Sequence, residues 1–127
     1  HERVLLLGTG GAAKAVNYVL NQMNIDTLFV SRTPNSSQIG YEQINDYIMK
    51  YHYLIINCSP IGMFPYTKEK PTIPYSSLTN KHTLIDLIYN PTETEFIKEG
   101  KARGCNTLNG LSMLQQQAEE SWRIWNS

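Results

Sequence analysis

The chain opens on an apolar strand that runs directly into a glycine-rich turn and then into a helix. Four apolar residues at 4–7 precede the sequence Gly8-Thr9-Gly10-Gly11-Ala12-Ala13. Gly8 allows a tight turn, Gly10 lets a phosphate approach the backbone, and Ala13 allows the helix to pack closely on the strand. The free N–H groups at a helix start favour an anion. This context predicts a site for the pyrophosphate of a dinucleotide, and a purely structural strand–helix turn is the alternative.

Composition limits the classes of protein and partner. The 127 residues are 41% hydrophobic and 17% charged with a formal net charge of zero, which predicts one domain over 1–127 with a core of its own. Zero net charge argues against nucleic acid or an anionic membrane as the main partner. No apolar run approaches the roughly 20 residues that span a bilayer. Because the chain starts at His1 rather than at Met, we expect it to be part of a longer protein.

The two cysteines and three histidines carry little chemistry. Cys58 and Cys105 lack the spacing of a metal site, and we expect free thiols in a reducing compartment, the cytoplasm, with a disulfide between them as the alternative. No metal cluster and no serine–histidine–aspartate arrangement is visible. His52 and His82 each precede a predicted strand, and we expect both to face solvent.

Apolar periodicity predicts strands that alternate with helices. Strands are predicted over 3–7, 27–30, 53–57, 83–87 and 105–108, and helices over 12–23, 42–50, 93–103 and 111–125. This alternation indicates a doubly wound α/β fold of the Rossmann type, with a mainly parallel sheet and helices on both faces. The apolar positions expected to face the core are Ala12, Ala15, Val16, Val19, Leu20 and Met23 in the first helix and Ile44, Tyr47 and Ile48 in the second.

The residues after the second strand indicate which dinucleotide binds. A site for NAD usually has an acidic residue there, about 20 positions beyond the glycine turn. This chain instead has Ser31-Arg32-Thr33, with Arg32 placed 24 positions after Gly8. A guanidinium pairs with a phosphate through two hydrogen bonds. Arg32 therefore favours the 2′-phosphate of NADP, and an exposed surface arginine is the alternative.

Polar and small residues also follow the third and fourth strands, where the ligand crevice of such a sheet lies. Ser59 is placed to donate to a phosphate or ribose oxygen, with a capped turn as the alternative. Tyr89 could offer its phenol to a small polar substrate or pack with its hydroxyl in water. Of the three glutamines at 115–117, only one or two can face the crevice.

Taken together, these motifs resemble the carboxyl-terminal, NADP-binding domain of the shikimate dehydrogenases. The resemblance covers nearly the whole chain, through residues 8–12, 31–33, 55–63, 86–92 and 109–118. It implies reversible, NADPH-dependent reduction of 3-dehydroshikimate to shikimate, in the cytoplasm, on the way to the aromatic amino acids.

The resemblance also implies a role for each matching residue. The pyrophosphate is assigned to Gly8, Thr9, Gly10, Gly11 and Ala12, the 2′-phosphate to Arg32 and Thr33 beside Ser31, the cofactor generally to Ser59, the nicotinamide to Leu87 and Gly110, and the substrate to Tyr89 and Gln117. Ser31 stands where the family usually has asparagine, and uncharged residues stand at 35 and 36 where a second basic residue is common. The choice of NADP over NAD is therefore expected to be less strict.

The resemblance assigns no catalytic residue to this chain. The family's catalytic lysine and aspartate come from an amino-terminal domain, which is expected as the partner within a longer chain. We therefore expect the chain alone to bind NADP weakly without turnover. The alternatives are a quinate/shikimate dehydrogenase, another two-domain NADP enzyme, a non-catalytic NADPH-binding module, and a methyltransferase using S-adenosylmethionine, against which Arg32 argues.

Overall fold

The computed structural model describes residues 3–109, which form a five-stranded parallel sheet. The strands are β1 Arg3–Leu7, β2 Asp26–Val30, β3 Leu54–Asn57, β4 Thr83–Asp86 and β5 Asn106–Asn109. Their order across the sheet is β2-β1-β3-β4-β5, and every neighbouring pair is parallel. The chain moves from β1 to β2 on one side and then to β3 on the other. The direction of winding therefore reverses beside β1, and the predicted α/β class is confirmed.

Helices lie on both faces of this sheet. The helices are α1 Gly11–Gln22, α2 Asp46–Tyr51 and α3 Glu95–Ala102, with 3-10 turns at Tyr41–Gln43 and Tyr75–Ser77. Helix α1 packs on the side chains of Val4, Leu6 and Ile56, whereas α2 and α3 pack on the opposite face around Leu5 and Leu84. Because both faces are covered, β1 is apolar at every position from 4 to 7, as is typical of parallel sheets.

The predicted stripe on the first helix is confirmed at two positions and wrong at four. Leu20 is buried and the half-buried Val16 packs on the core, as predicted. Ala13, which was not predicted, is buried as well, whereas the predicted positions Ala12, Ala15, Val19 and Met23 are exposed. The small side chain of Ala13 lets the helix start approach the sheet closely, and the position seven residues later, Leu20, then faces the sheet as well. Close approach at Ala13, rather than the apolar count, therefore sets the buried face.

The predicted helix over 42–50 is broken at Ile44. A 3-10 turn ends there, and Asn45 starts α2 anew as its N-cap, with Oδ1 accepting from Ile48 N at 2.9 Å. Asparagine is among the best N-cap residues because its side chain satisfies a free N–H of the first turn. The restart changes the buried face, so that Met49 is buried and Tyr47 is exposed.

The expectation that the two histidines face solvent is also wrong. His52 and His82 are both buried. Thr79 N donates to His82 Nδ1 at 3.0 Å, and His82 Nε2 lies 2.8 Å from Met49 O. Because Met49 O can only accept, Nε2 donates to it, and this bond joins α2 to the start of β4. Burial costs little here because backbone groups satisfy both ring nitrogens.

The remaining boundaries of the described elements agree closely with the predicted ones. The predicted helix over 111–125 lies outside the described residues. Among the helices of residues 3–109, none is long and apolar enough to cross a membrane. Cys58 and Cys105 are free and half-buried.

Candidate functional site

A cavity of about 550 Å³ opens at the carboxyl ends of β1, β2 and β3, where the winding of the sheet reverses. In open α/β sheets this is where ligands bind. The cavity is lined by Gly8, Thr9, Gly10, Val30, Ser31, Arg32, Thr33, Tyr41, Cys58, Ser59, Pro60 and Ile61. Seven of these residues, which come from three separate loops, are among those that the sequence predicted to bind the cofactor.

The glycine turn has the geometry of an anion cradle. Gly10 is the N-cap of α1, and neither a capping side chain nor an acidic residue in the first turn occupies the helix start. The first N–H groups of a helix have no acceptor within the helix. A Cβ atom built on Gly10 or Gly11 would meet no described protein atom within 4 Å. Packing within residues 3–109 therefore does not require glycine at these positions, whereas close approach of a phosphate does.

The backbone geometry of the turn requires glycine at position 8. Its φ is +111°, and its N–H donates to Val30 O at 2.8 Å. A Cβ atom at Gly8 would lie 3.1 Å from Ser59 N and 3.2 Å from Cys58 C. Gly8 therefore holds the loop after β3 close against the glycine turn.

Replacing Gly8 by alanine is expected to lower the free energy of unfolding by about 2 kcal/mol, because the residue is strained at positive φ and crowds the backbone. Gly10→Ala is the matched control, since Gly10 has a φ of −78° and open space around it, and a change within about 0.5 kcal/mol is expected. Urea unfolding of both variants measures the difference. Equal stability of the two variants would contradict this account of Gly8.

The turn after β2 presents Arg32 and Thr33 to solvent. Ser31 is buried, its N–H donates to Ile39 O at 2.9 Å, and its Oγ accepts from Thr33 N at 3.1 Å. Ser31 therefore shapes the turn. The Arg32 guanidinium forms no ion pair with any residue of the described range. An unpaired cation at this strand end suits an anionic ligand group.

A buried polar network supports the cleft from below. Asp86 is fully buried at the end of β4, where Thr94 Oγ1 donates to Oδ2 at 2.7 Å and Ile88 N donates to Oδ1 at 3.0 Å. Asn57 Nδ2 also donates to Asp86 Oδ1, at 3.3 Å. Burial raises the pKa of Asp86, and these three hydrogen bonds partly offset that rise. Every contact is a donor to the carboxylate, as an ionised group requires.

The same network holds the loop that forms one wall of the cleft. Asn57 Oδ1 accepts from Ser59 N at 3.1 Å and from Ser59 Oγ at 2.6 Å. Ser59 lines the cleft as expected, but its hydroxyl proton is already used by Asn57. Ser59 therefore meets a ligand as a hydrogen-bond acceptor, and a phosphate oxygen, which also accepts, is a poor partner for it.

A second cavity of about 530 Å³ adjoins the first across the glycine turn. The two cavities share Gly10, Cys58, Ser59 and Pro60, and the second extends to Leu87 and Tyr89 after β4. Leu87 is half-buried, whereas the Tyr89 side chain is exposed. A cleft with two halves on either side of an anion cradle suits a ligand with two nucleotides joined by a pyrophosphate. Gly110 and Gln117 lie outside the described residues.

Among the cleft residues to which the sequence analysis gave no role, Tyr41 and Cys58 have titratable side chains. Tyr41 reaches the cavity from the 3-10 turn, so no motif signals it. Burial raises its pKa, with Ser59 and Arg32 opposing that rise.

Cys58 precedes Ser59 and lies in the same wall of the cleft. Burial raises the pKa of the Cys58 thiol to about 12, so it is protonated and unreactive at neutral pH. Within residues 3–109, no cluster of three or more histidine, cysteine, aspartate or glutamate side chains could bind a metal ion.

Strand order, glycine turn and the two-part cleft define a dinucleotide-binding domain of the Rossmann type. No family model matches the chain. Shikimate dehydrogenase (NADP(+)) of Carboxydothermus hydrogenoformans is 33% identical over 98% of this chain and 49% of its own length. That of Methanococcus aeolicus is 35% identical over 96% of this chain and 49% of its own length.

Solved structures point the same way. A shikimate dehydrogenase in complex with NADP⁺ matches 98% of this chain and 48% of its own with a TM-score of 0.81 and 29% identity. Quinate dehydrogenase from Corynebacterium glutamicum in complex with NAD matches 97% of this chain and 49% of its own with a TM-score of 0.75 and 25% identity. The chain is a homologue of the shikimate dehydrogenases, has the fold of the NADP-binding domains of its structural neighbours, and spans about half the length of the relatives it matches.

Proposed function

We propose that this chain is the NADP-binding domain of a shikimate dehydrogenase, an enzyme that reversibly reduces 3-dehydroshikimate to shikimate with NADPH. The observation that carries the proposal is that one cleft contains both the glycine-lined start of α1, which no side chain caps, and Arg32, which forms no ion pair within residues 3–109. The two groups suit the two phosphate-bearing parts of NADP, the pyrophosphate and the 2′-phosphate. Homology to NADP-dependent relatives supports the same cofactor.

The cofactor is assigned to residues on both sides of the glycine turn. Gly8, Thr9, Gly10, Gly11 and Ala12 are proposed to hold the pyrophosphate, and Arg32 and Thr33 the 2′-phosphate. Ser31 shapes their turn, and Ser59 faces the cofactor as an acceptor. When bound, NADPH supplies the hydride. The residues fit the cofactor because Gly10 and Gly11 leave space where a phosphate must approach.

The substrate side is proposed at the second cavity. Leu87 borders the place for the nicotinamide, and the exposed Tyr89 hydroxyl is free to reach the substrate. Gly110 and Gln117 belong to this half of the proposal by resemblance. Hydride transfer needs the substrate held about 3 to 3.5 Å from the nicotinamide, and the family's catalytic lysine and aspartate lie in another domain. The chain alone is therefore expected to bind the cofactor without oxidising shikimate, and the complete enzyme is proposed to act in the cytoplasm.

The second candidate is a quinate/shikimate dehydrogenase. The similarity to a quinate dehydrogenase that was solved with NAD favours it. The two candidates differ in substrate and share the cleft, so comparison of shikimate with quinate as substrates of the complete enzyme separates them.

Calorimetric titration of the purified chain with NADP, NAD and shikimate tests the proposed function. We expect NADP to bind about tenfold or more tightly than NAD, because Arg32 pairs with the 2′-phosphate that NAD lacks. Tighter binding of NAD, or no binding of either dinucleotide, would contradict the proposal. Shikimate oxidation by the isolated chain would contradict the assignment of catalysis to another domain.

A further inference from the structure

Five hydroxyl side chains line the cavity together with Arg32, those of Thr9, Ser31, Thr33, Tyr41 and Ser59. The buried network below the cleft decides whether Ser59 can donate to a ligand. The Asn57 side chain has a single allowed orientation. Its Nδ2 faces two acceptors, Asp86 Oδ1 and Ile61 O, each at 3.3 Å. Its Oδ1 faces the backbone donor Ser59 N. A flipped amide would place acceptor against acceptor and donor against donor.

The orientation of the Asn57 side chain determines where the Ser59 hydroxyl donates its proton. Because Asn57 Oδ1 can only accept, the 2.6 Å contact with Ser59 Oγ is a hydrogen bond that Ser59 donates. A serine hydroxyl has one proton, so Ser59 has none left for a ligand. Its oxygen accepts from Ile61 N at 3.3 Å.

Tyr41 also lines the cavity and carries a phenolic proton that it can donate. Ser59 and the positive charge of Arg32 both act to lower the pKa of Tyr41. Burial nevertheless keeps that pKa above its usual value, so the phenol holds its proton at neutral pH.

Within residues 3–109, Arg32 is the one charged side chain on the cavity wall. A phosphate monoester carries about two negative charges and three acceptor oxygens. A single guanidinium forms two of the bonds that such a group can accept, which leaves acceptors for a neighbouring hydroxyl.

We propose that Tyr41 is a specificity-determining residue, whose hydroxyl donates to the same 2′-phosphate that Arg32 binds. This inference rests on the proposed function, since it assumes that NADP occupies the cleft. In this arrangement Tyr41 donates and Ser59 accepts, although Ser59 is the residue that the sequence predicts as a donor. The ring of Tyr41 packs on the core below the cleft, so the hydroxyl is held in place.

Calorimetric titrations of Tyr41→Phe with NADP and NAD test the inference. Phenylalanine keeps the packing of the ring and removes the hydroxyl alone. We expect NADP to bind roughly tenfold more weakly and NAD to bind as it does to the unaltered chain, because a hydrogen bond to a charged group is lost only with NADP. Adenosine 2′,5′-bisphosphate and adenosine 5′-phosphate are expected to show the same contrast without the nicotinamide half.

Two control variants sharpen the result. Tyr47→Phe removes an exposed hydroxyl on α2, outside the cleft lining, and is expected to change neither affinity. Ser59→Ala is expected to change the affinities for NADP and NAD by the same factor. An equal loss of both dinucleotides in Tyr41→Phe, or no loss, would overturn the inference while the proposed function stands. Failure of the unaltered chain to bind either dinucleotide would overturn both.

Discussion

Replacement of Asp86 by alanine is expected to lower the free energy of unfolding by about 3 kcal/mol. The substitution removes the acceptor for Thr94 Oγ1, Ile88 N and Asn57 Nδ2, all of which are buried around it. Asn57 keeps Ile61 O as a second acceptor, but Thr94 Oγ1 and Ile88 N are left in a buried position without their acceptor. Urea unfolding, followed by circular dichroism, measures the change.

Two further variants separate the network from the charge. Asp86→Asn keeps one acceptor oxygen and nearly the same shape, so a smaller loss of about 1 kcal/mol is expected. Glu69→Ala removes an exposed carboxylate that forms no ion pair within residues 3–109, and a change within about 0.5 kcal/mol is expected. If Asp86→Ala were as stable as Glu69→Ala, the carboxylate would not organise this end of the sheet.

Arg32→Ala is expected to weaken NADP binding about thirtyfold, which corresponds to about 2 kcal/mol for the charge-assisted bonds that are lost. NAD has no 2′-phosphate, so its affinity is expected to fall much less, and the preference for NADP should nearly disappear. Calorimetric titration of both dinucleotides measures the two affinities. Arg32 is exposed, so the fold is expected to keep its stability.

Lys50→Ala removes the same charge at the opposite end of the sheet. Lys50 is exposed and lines a groove with Leu54 and Thr83, at the starts of β3 and β4. Its replacement is expected to leave both affinities unchanged. An equal loss of NADP affinity in the two variants would assign the effect of Arg32 to net charge rather than to contact with the phosphate.

The sheet and the glycine turn were predictable because local sequence determines them. Four consecutive apolar residues at 4–7 can be buried on both faces only in a covered parallel strand, and the glycines that follow leave space that residues 3–109 do not fill. Arg32 was predictable for the same reason, since its place at a strand end follows from the strand. These features need no knowledge of distant contacts.

Features that depend on distant contacts were not predictable. Tyr41 enters the cleft from a 3-10 turn whose position depends on the restart of the helix at Asn45. His82 is buried because Met49 O and Thr79 N, from different segments, satisfy its ring. The donor and acceptor roles of Ser59 depend on Asp86, which lies on a neighbouring strand and acts through Asn57. No spacing within one segment reports such a network.

The most direct test of the central claim locates NADP on the chain. Amide NMR spectra of the nitrogen-labelled protein, recorded during titration with NADP and separately with NAD, report which backbone groups the ligand approaches. Shifts at residues 8–13 with both dinucleotides, and at 31–33 mainly with NADP, are the predicted result. Shifts that cluster elsewhere, such as around Lys50 and Tyr53 at the other end of the sheet, would contradict the assignment of this cleft to NADP.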